Sequence, residues 1–413
     1  MANVSSSNGL EKRPKLRFPG FDEPWKAALL SDYFAKNIKK NADGAITNVI
    51  CNSAKQGLIP QRDYFDKDIA NSDNTDGYYI IETNDFVYNP RKSTDAPYGP
   101  ISSYKYPEAG IVSPLYLCFR AKQEINPLYF EWYFRSSAWH RYIYMSGDSG
   151  ARHDRVSIKD DTFFAMPINI PSAKEQDRIA LFLNAIEQKI DKQRSLVDAL
   201  KKYKRGVTRR LFAQEKGSFE TNLQIVSLGD LFPFIRNGFV GTVTPFFTDR
   251  EHGVRYLQGT NIHAGKITDD TVYYVTKDFN AKHSKNILKR DDILVVQSGH
   301  VGECAVVGKE YEGANCHALI IMSNGGNCFS DYVAQYINSE AGNKQIASIT
   351  TGNTIRHILA SAIADMVIPI PSLEEQKRVA YLLSIYDDRI AKEEQLLSEL
   401  EAMRKGLLQQ LFI

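Results

Sequence analysis

The stretch from Met166 to Ala213 recurs without a gap from Met366 to Ile413, at a constant offset of 200. Of the 48 aligned positions, 17 are identical. Pro171-Ser172-x-x-Glu175-Gln176-x-Arg178 answers to Pro371-Ser372-x-x-Glu375-Gln376-x-Arg378. Gly206 and Leu211-Phe212 return as Gly406 and Leu411-Phe412. The rest of the chain has to be arranged around that duplication.

Each copy reads as a long helix with an explicit start. Pro171 ends what precedes it, Ser172 is placed to cap, and Glu175 stands three residues on, where a capping box needs it. Apolar residues then step by four and three. In the first copy they are Ile179, Leu183, Ile186, Ile190, Val197, Leu200, Val207 and Leu211. In the second they are Val379, Leu383, Tyr386, Ile390, Leu397, Leu400, Leu407 and Leu411. A 4–3 alternation is a heptad seam, which buries a narrow stripe against another helix. Polar residues interrupt the stripe at matching places, Gln193 and Lys204 in one copy, Glu393 and Arg404 in the other.

Connectivity orients the pair. Only the short link 214–222 joins the first helix to the next domain, which leads straight into the second helix. The expected packing is therefore antiparallel, an αα-hairpin whose loop has grown into a domain. In a symmetric pair Gln193 falls near Glu393, a polar layer that would set the register. About 41 residues at about 1.5 Å each make a rod of about 60 Å, the dimensions of a spacer.

A length of 413 residues allows two or three domains with separate cores. Cys51, Cys118, Cys304, Cys316 and Cys328 are odd in number and form no CxxC pair. That usage argues against a disulfide framework and for a reducing cytoplasm. The last three cysteines with His300 and His317 lack the spacing of a zinc knuckle, so no metal is expected. The start of the chain is polar, and no run approaches a membrane span, so no membrane contact is expected. A net charge of +2 falls well short of the strongly basic footprint of a stand-alone nucleic-acid binder. Any DNA contact has to come from local clusters or be shared with partners.

In chain order, residues 1–16 read as an unstructured tail, and Arg17-Phe18-Pro19-Gly20-Phe21 through Trp25 as the start of folded structure. A first domain over 17–165 has strand-like runs at 78–81, 86–88 and 115–119, and a helix from Asn126-Pro127 toward Trp139. The first spacer helix belongs to 166–216. A second domain over 217–365 suggests strands at 255–257, 272–275, 293–296 and 319–322, with a helix over 331–339. The second spacer helix closes the chain at 366–413. Asp85-Phe86-Val87 and Asp292-Ile293-Leu294 read as one strand in two versions. Two similar helices carrying two divergent domains suggest one scaffold presenting two recognition surfaces.

Over almost its full length the sequence resembles the specificity subunits of type I restriction–modification enzymes. The resemblance is carried by Arg17 to Phe21, Asp85 to Pro90, Ile111-Val112-Ser113-Pro114 and the two Ile-Pro-Ser…Glu-Gln helix starts. In the second half it is carried by Gln258 to Ile262, Asp292 to Val295 and Gly352 to Arg356. It implies an α+β fold with two mixed α/β target-recognition domains, separated by two long helices packed as an antiparallel coiled coil. It implies double-stranded DNA as a partner, each domain reading one half of an asymmetric bipartite site. It further implies docking of two modification (methyltransferase) subunits and of restriction/motor subunits. S-adenosylmethionine, Mg and ATP would then sit on those partners, and this chain would bind no cofactor. A rod of about 60 Å corresponds to roughly 18 duplex steps of about 3.4 Å, an upper limit on the separation of half-sites.

Bases are read by Arg, Lys, Asn, Gln or Ser at groove edges, whereas phosphate contacts position the protein. In the first domain the candidates are Arg91 and Lys92, Tyr104 and Lys105, and Arg152, His153 and Arg155 after the glycine-bearing loop. In the second they are Arg236, Asn237, Gln258, Thr260, Asn261, Gln297, Ser298, His300, Arg356 and His357. The bland alternative for each is a solvated surface group. For the Gly299/Gly302 pair it is a plain hairpin turn. Lys201, Lys202, Lys204, Arg205, Arg209 and Arg210 concentrate charge near the end of the first helix, where positive charge suits the dipole.

The chain lacks a glycine-rich cofactor loop after a strand, an Asn/Asp-Pro-Pro-aromatic motif, a Pro-Asp…Asp/Glu-x-Lys nuclease motif and a GxxxxGK[ST] loop. A self-contained methyltransferase or nuclease is therefore the weaker expectation. A coiled-coil adaptor that binds only protein stays open.

Overall fold

Asp85 and Asp292 occupy the same turn in two different sheets. Asn84 (φ 70°) and Asp291 (φ 67°) stand just before them in the left-handed region, which short polar side chains tolerate best after glycine. Asp85 Oδ2 accepts the Glu82 N–H at 2.8 Å, and Asp292 Oδ2 accepts the Lys289 N–H at 3.0 Å. Each buried carboxylate thus closes the turn that launches a fully buried strand, Phe86–Tyr88 or Ile293–Val296.

The computed structural model describes residues 13–64, 75–147, 154–212, 223–352 and 356–413. The chain divides into two compact units, Met1–Gln193 with Leu396–Ile413, and Arg194–Gln395. Each unit therefore includes part of both long helices, Ala173–Phe212 and Leu373–Leu411.

In the first unit a four-stranded antiparallel sheet runs in the order Phe34–Lys36, Leu117–Ala121, Phe86–Tyr88, Ile101–Ser103. Alternation along Phe86-Val87-Tyr88 sends residues to opposite faces. Phe86 and Tyr88 enter an aromatic core with Phe34, Phe119, Phe130, Phe134 and Trp139, while Val87 joins a smaller core with Ile50, Ile81 and Cys118. Phe34 meets Phe86, Phe119 and Phe130 edge to face at 4.9–5.4 Å, the geometry that aromatic quadrupoles favour. The expected helix begins at Pro127 with Asn126 capping the Tyr129 N–H, but ends at Arg135. A second helix, His140–Ser146, follows.

The second unit repeats the plan with other residues. Its sheet order, Phe234–Asn237, Leu319–Ser323, Ile293–Val296, Cys304–Val306, matches the first strand for strand. Ile293 and Val295 face the larger core, Leu294 and Val296 the smaller one. In both units a strand near the start pairs with the strand before the long helix, Lys26–Leu29 with Pro167–Ile170 and Gln224–Ser227 with Val367–Ile370. The units differ in what is added. The first carries the hairpin Ile50–Ser53/Gly57–Pro60 and the pair Tyr79–Ile81/Gly110–Val112. The second carries a mixed sheet whose last pair, Tyr256 with Asn315, is parallel.

Within each unit the long helices run antiparallel. In the first, Ile186 and Ile190 pack with Leu397, Leu400 and Leu407, and Arg404 reaches Glu187. In the second, Tyr203 meets Tyr386 at 5.6 Å, Lys204 pairs with Asp387 and Lys201 with Glu394. The partner's number falls as the residue number rises. Ile179 and Leu183 are buried in the aromatic core, and Val379 and Leu383 in the core of the second unit, so the first turns of each helix pack on a domain. Val197 and Ile390 are buried, and Leu200 and Gln193 half-buried. Glu393 is buried and takes the Arg389 guanidinium at 2.7 Å.

Two expectations need correction. Ser172 and Ser372 do cap, accepting the Glu175 and Glu375 N–H groups at 3.4 and 3.3 Å, but the glutamates serve ion pairs, Glu175 with Arg17 and Glu375 with Arg378. The neighbouring glutamines latch the helix starts instead, Gln176 Nε2 donating to the Pro171 carbonyl and Gln376 Nε2 to that of Pro371. The tail also ends earlier than residue 16. Pro14 is buried, and the Leu16 N–H donates to the Gln410 carbonyl at 3.0 Å. Residues 1–12 lie outside the described residues.

Candidate nucleic-acid interface

The hairpin that starts at each buried Asp turn carries the exposed polar groups. In the first unit the connection between Phe86–Tyr88 and Ile101–Ser103 leaves through Asn89-Pro90. The Asn89 side chain accepts the Arg91 N–H and donates to the Asn52 carbonyl, which holds the start of the loop. Gly99 closes the loop at φ +83°, where a Cβ would lie 2.1 Å from the Asn89 carbonyl oxygen. A side chain there would open the loop. Residues 90–92 then pair with 154–156, Arg91 opposite Arg155. The Lys92 N–H donates to the Asp154 carbonyl and the Val156 N–H to that of Pro90. Arg91, Lys92 and Arg155, far apart in sequence, are thereby brought onto one short ribbon.

The second unit builds the same ribbon at the same place. The loop 297–303 follows Ile293–Val296, Ser298 lies opposite His357, and the Ile358 N–H donates to the Gln297 carbonyl at 3.1 Å. His357 also exchanges two backbone bonds with Thr351, whose hydroxyl is 3.1 Å from the imidazole Nε2. Gln297 Nε2 donates to Asn237 Oδ1 at 3.4 Å. Gly302 holds the loop at φ +92°, with Ile346 only 2.3 Å from where a Cβ would stand. Asn237, Gln297, Ser298, His357 and exposed Arg356 are thus gathered.

The two ribbons carry unlike chemistry. Two guanidinium groups and an ammonium suit guanine edges and phosphates. Amides, a hydroxyl and one guanidinium suit a site with an adenine edge.

Several sequence candidates are committed elsewhere. Tyr104 is 0 % exposed, its hydroxyl donates to the Glu108 carbonyl, and burial pushes its pKa up, so it belongs to the core. Lys105 pairs at 2.9 Å with Glu131, a buried carboxylate that also takes Arg135 and the Ser103 hydroxyl. Lys105 is thus engaged with a buried carboxylate that Arg135 and Ser103 also serve. Arg236 donates to the Lys285 carbonyl and the Ser323 hydroxyl beside Asp292, whose carboxyl burial raises. Asn261 is 1 % exposed and clamps the Gln258 N–H and the Thr268 and Thr271 carbonyls. Gln258 is half-buried in that clamp, while Thr260 is exposed. His300 stacks on His263. Arg152 and His153 lie outside the described residues.

Tyr144 and Met145 are 70 % and 72 % exposed. They stand at the end of a helix closed by Gly147, which packs beside Val156 of the ribbon. Among the basic residues of the first long helix, Lys201, Lys204 and Arg209 are in ion pairs, and Lys202, Arg205 and Arg210 are exposed.

One domain plan is built twice, with unlike polar ribbons at equivalent hairpins. The chain is similar to type I restriction–modification specificity subunits. Residues 220–402 match the family described as type I restriction modification DNA specificity domain. The MjaVIII specificity subunit of Methanocaldococcus jannaschii is 24% identical over 266 residues, 60% of this chain and 61% of that one. The StySPI specificity subunit of Salmonella potsdam is 30% identical over 181 residues, 38% of this chain and 37% of its own. The chain thus spans about three-fifths of the first of these relatives. The S subunit of the type I system of M. genitalium shares the fold with a TM-score of 0.58 at 13% identity, covering 97% of this chain and 99% of that one. No helix among the described residues is long and apolar enough to cross a membrane.

Proposed function

We propose that this chain is the DNA sequence-specificity subunit of a type I restriction–modification complex. Its two units read the two halves of an asymmetric bipartite site in double-stranded DNA. The observation that carries this reading is the pair of equivalent ribbons with unlike groups, Arg91, Lys92 and Arg155 in one unit, Gln297, Ser298, Arg356 and His357 in the other.

The chain itself carries out no catalysis in this reading. S-adenosylmethionine, Mg and ATP belong to two modification subunits and to the restriction/motor subunits, and the complex works in the cytoplasm. Docking of the same partner twice is supported by apolar residues exposed at repeat-related positions. Leu181, Phe182, Leu396 and Met403 lie in the first unit, and Tyr381, Leu382, Leu196 and Tyr203 in the second. Exposed apolar surface of this kind marks interaction sites, and a duplicated one suits two copies of one partner.

Selection from random DNA pools, with and without co-expressed modification subunits, tests the reading. Enrichment of a split sequence supports it. Enrichment of one contiguous sequence, or of none in any complex, contradicts it.

A further inference from the structure

We propose that His263, His300 and Glu303 form a binding site for one divalent transition-metal ion of the zinc class. The three side chains come from two neighbouring turns of the second unit. His263 ends the strand Ile262–His263, which pairs with Lys266–Ile267. Between them Ala264 (φ 51°) and Gly265 (φ 76°) both adopt the left-handed conformation of a tight two-residue hairpin turn. His300 and Glu303 lie on the loop 297–303, whose backbone is pinned by the Val296 N–H on the Glu303 carbonyl and the Gly302 N–H on the Val296 carbonyl.

One ligand atom of each residue lies within 4.8 Å of the others. The two imidazoles are nearly parallel, 17° apart with centroids at 5.4 Å, and a Glu303 oxygen is 3.7 Å from His300 Nε2. His300 Nε2 is also 3.1 Å from the Ile262 carbonyl oxygen. This carbonyl contact holds the His300 ring beside His263 and Glu303. Histidines that bind metal are commonly oriented by hydrogen bonds of this kind to the backbone.

Two imidazoles and one carboxylate form a set that zinc takes with water completing the coordination, and that magnesium and calcium, which want oxygen, do not. The thiols compete poorly. Cys304, beside Glu303, is fully buried with Sγ on the Ala334 carbonyl, and burial pushes Cys316 up to about 12 and Cys328 up to about 11. A bound ion would tie the hairpin 262–267 to the loop that presents Gln297 and Ser298, and so stiffen that loop.

The test uses the full-length chain without a histidine tag, stripped with chelator. Zn2+ is titrated by calorimetry, and Co2+ is followed by its visible absorption. The expected result is one ion per chain with a Kd of about 1 μM or tighter, and a melting temperature that rises saturably with Zn2+. His263→Ala, His300→Ala and Glu303→Gln, made separately, should each weaken binding at least about tenfold, a loss of the size expected when one metal ligand is removed. All three should melt like the parent in chelator, and a Cys51→Ser/Cys328→Ser variant should bind as the parent does. Absence of saturable binding overturns the site. So does binding that survives in whichever of the three variants melts normally in chelator, or that is lost with the cysteines.

Discussion

Arg17 and Glu175 show how much one pair can hold. The guanidinium meets the carboxylate through two bonds of 2.7 and 2.8 Å, with Glu175 only 1 % exposed. Arg17→Ala leaves a buried carboxylate without its cation and should cost about 3–5 kcal/mol, measured as a drop in the urea midpoint. Gly302→Ala meets Ile346 and a positive φ together, and should destabilise the chain by about 1–3 kcal/mol. Burial pulls both His140 and His317 below the ordinary imidazole range. As pH falls through that range the unfolded chain takes up protons before the folded one. The contribution of these residues is therefore present above the unfolded value and lost as pH falls through the folded one. Denaturation midpoints should fall on acidification, and His140→Gln should flatten part of that slope. Neither glycine contacts nor histidine burial was legible from the chain, because the neighbours concerned, Ile346 for Gly302 and Tyr98 for His140, are distant in sequence.

At the scale of elements, the sequence spoke clearly wherever a local rule was strong. Buried strands such as Ile293–Val296 are apolar throughout, and the Asn126-Pro127 helix start is local chemistry, so both were readable. Glu175 leaves its capping place because Arg17, far away in sequence, offers a stronger partner than a backbone N–H, whereas Glu375 turns to Arg378 on its own helix. Tyr104 and Asn261 were misread as interface residues because a polar or aromatic residue looks the same from the sequence whether its partners are water or distant carbonyls. The ribbons are not legible in the sequence, because pairing of 91 with 155 and of 298 with 357 depends on how the loops fold back. The seam carries its own prediction. Gln193→Leu with Glu393→Leu replaces polar residues in an apolar stripe, and the melting temperature should rise at the expense of register specificity. A fall would show that the polar groups stabilise the pairing.

For the whole molecule, the duplication in the sequence foretold a duplication of design, and the two sheets match strand for strand. The repeat-related apolar residues give the partner reading a direct check. Leu181→Asp with Tyr381→Asp should abolish co-purification of modification subunits while leaving the melting temperature of the free chain within a few degrees. The central claim is that each unit reads its own half of a split site. Mapping methylated bases in DNA from cells expressing the complex tests it most directly, comparing the parent chain with Arg91→Ala/Arg155→Ala and with Gln297→Ala/Arg356→Ala. The account predicts a bipartite motif in the parent, relaxed in one half by the first variant and in the other half by the second. A contiguous motif, or either variant relaxing both halves alike, would contradict it.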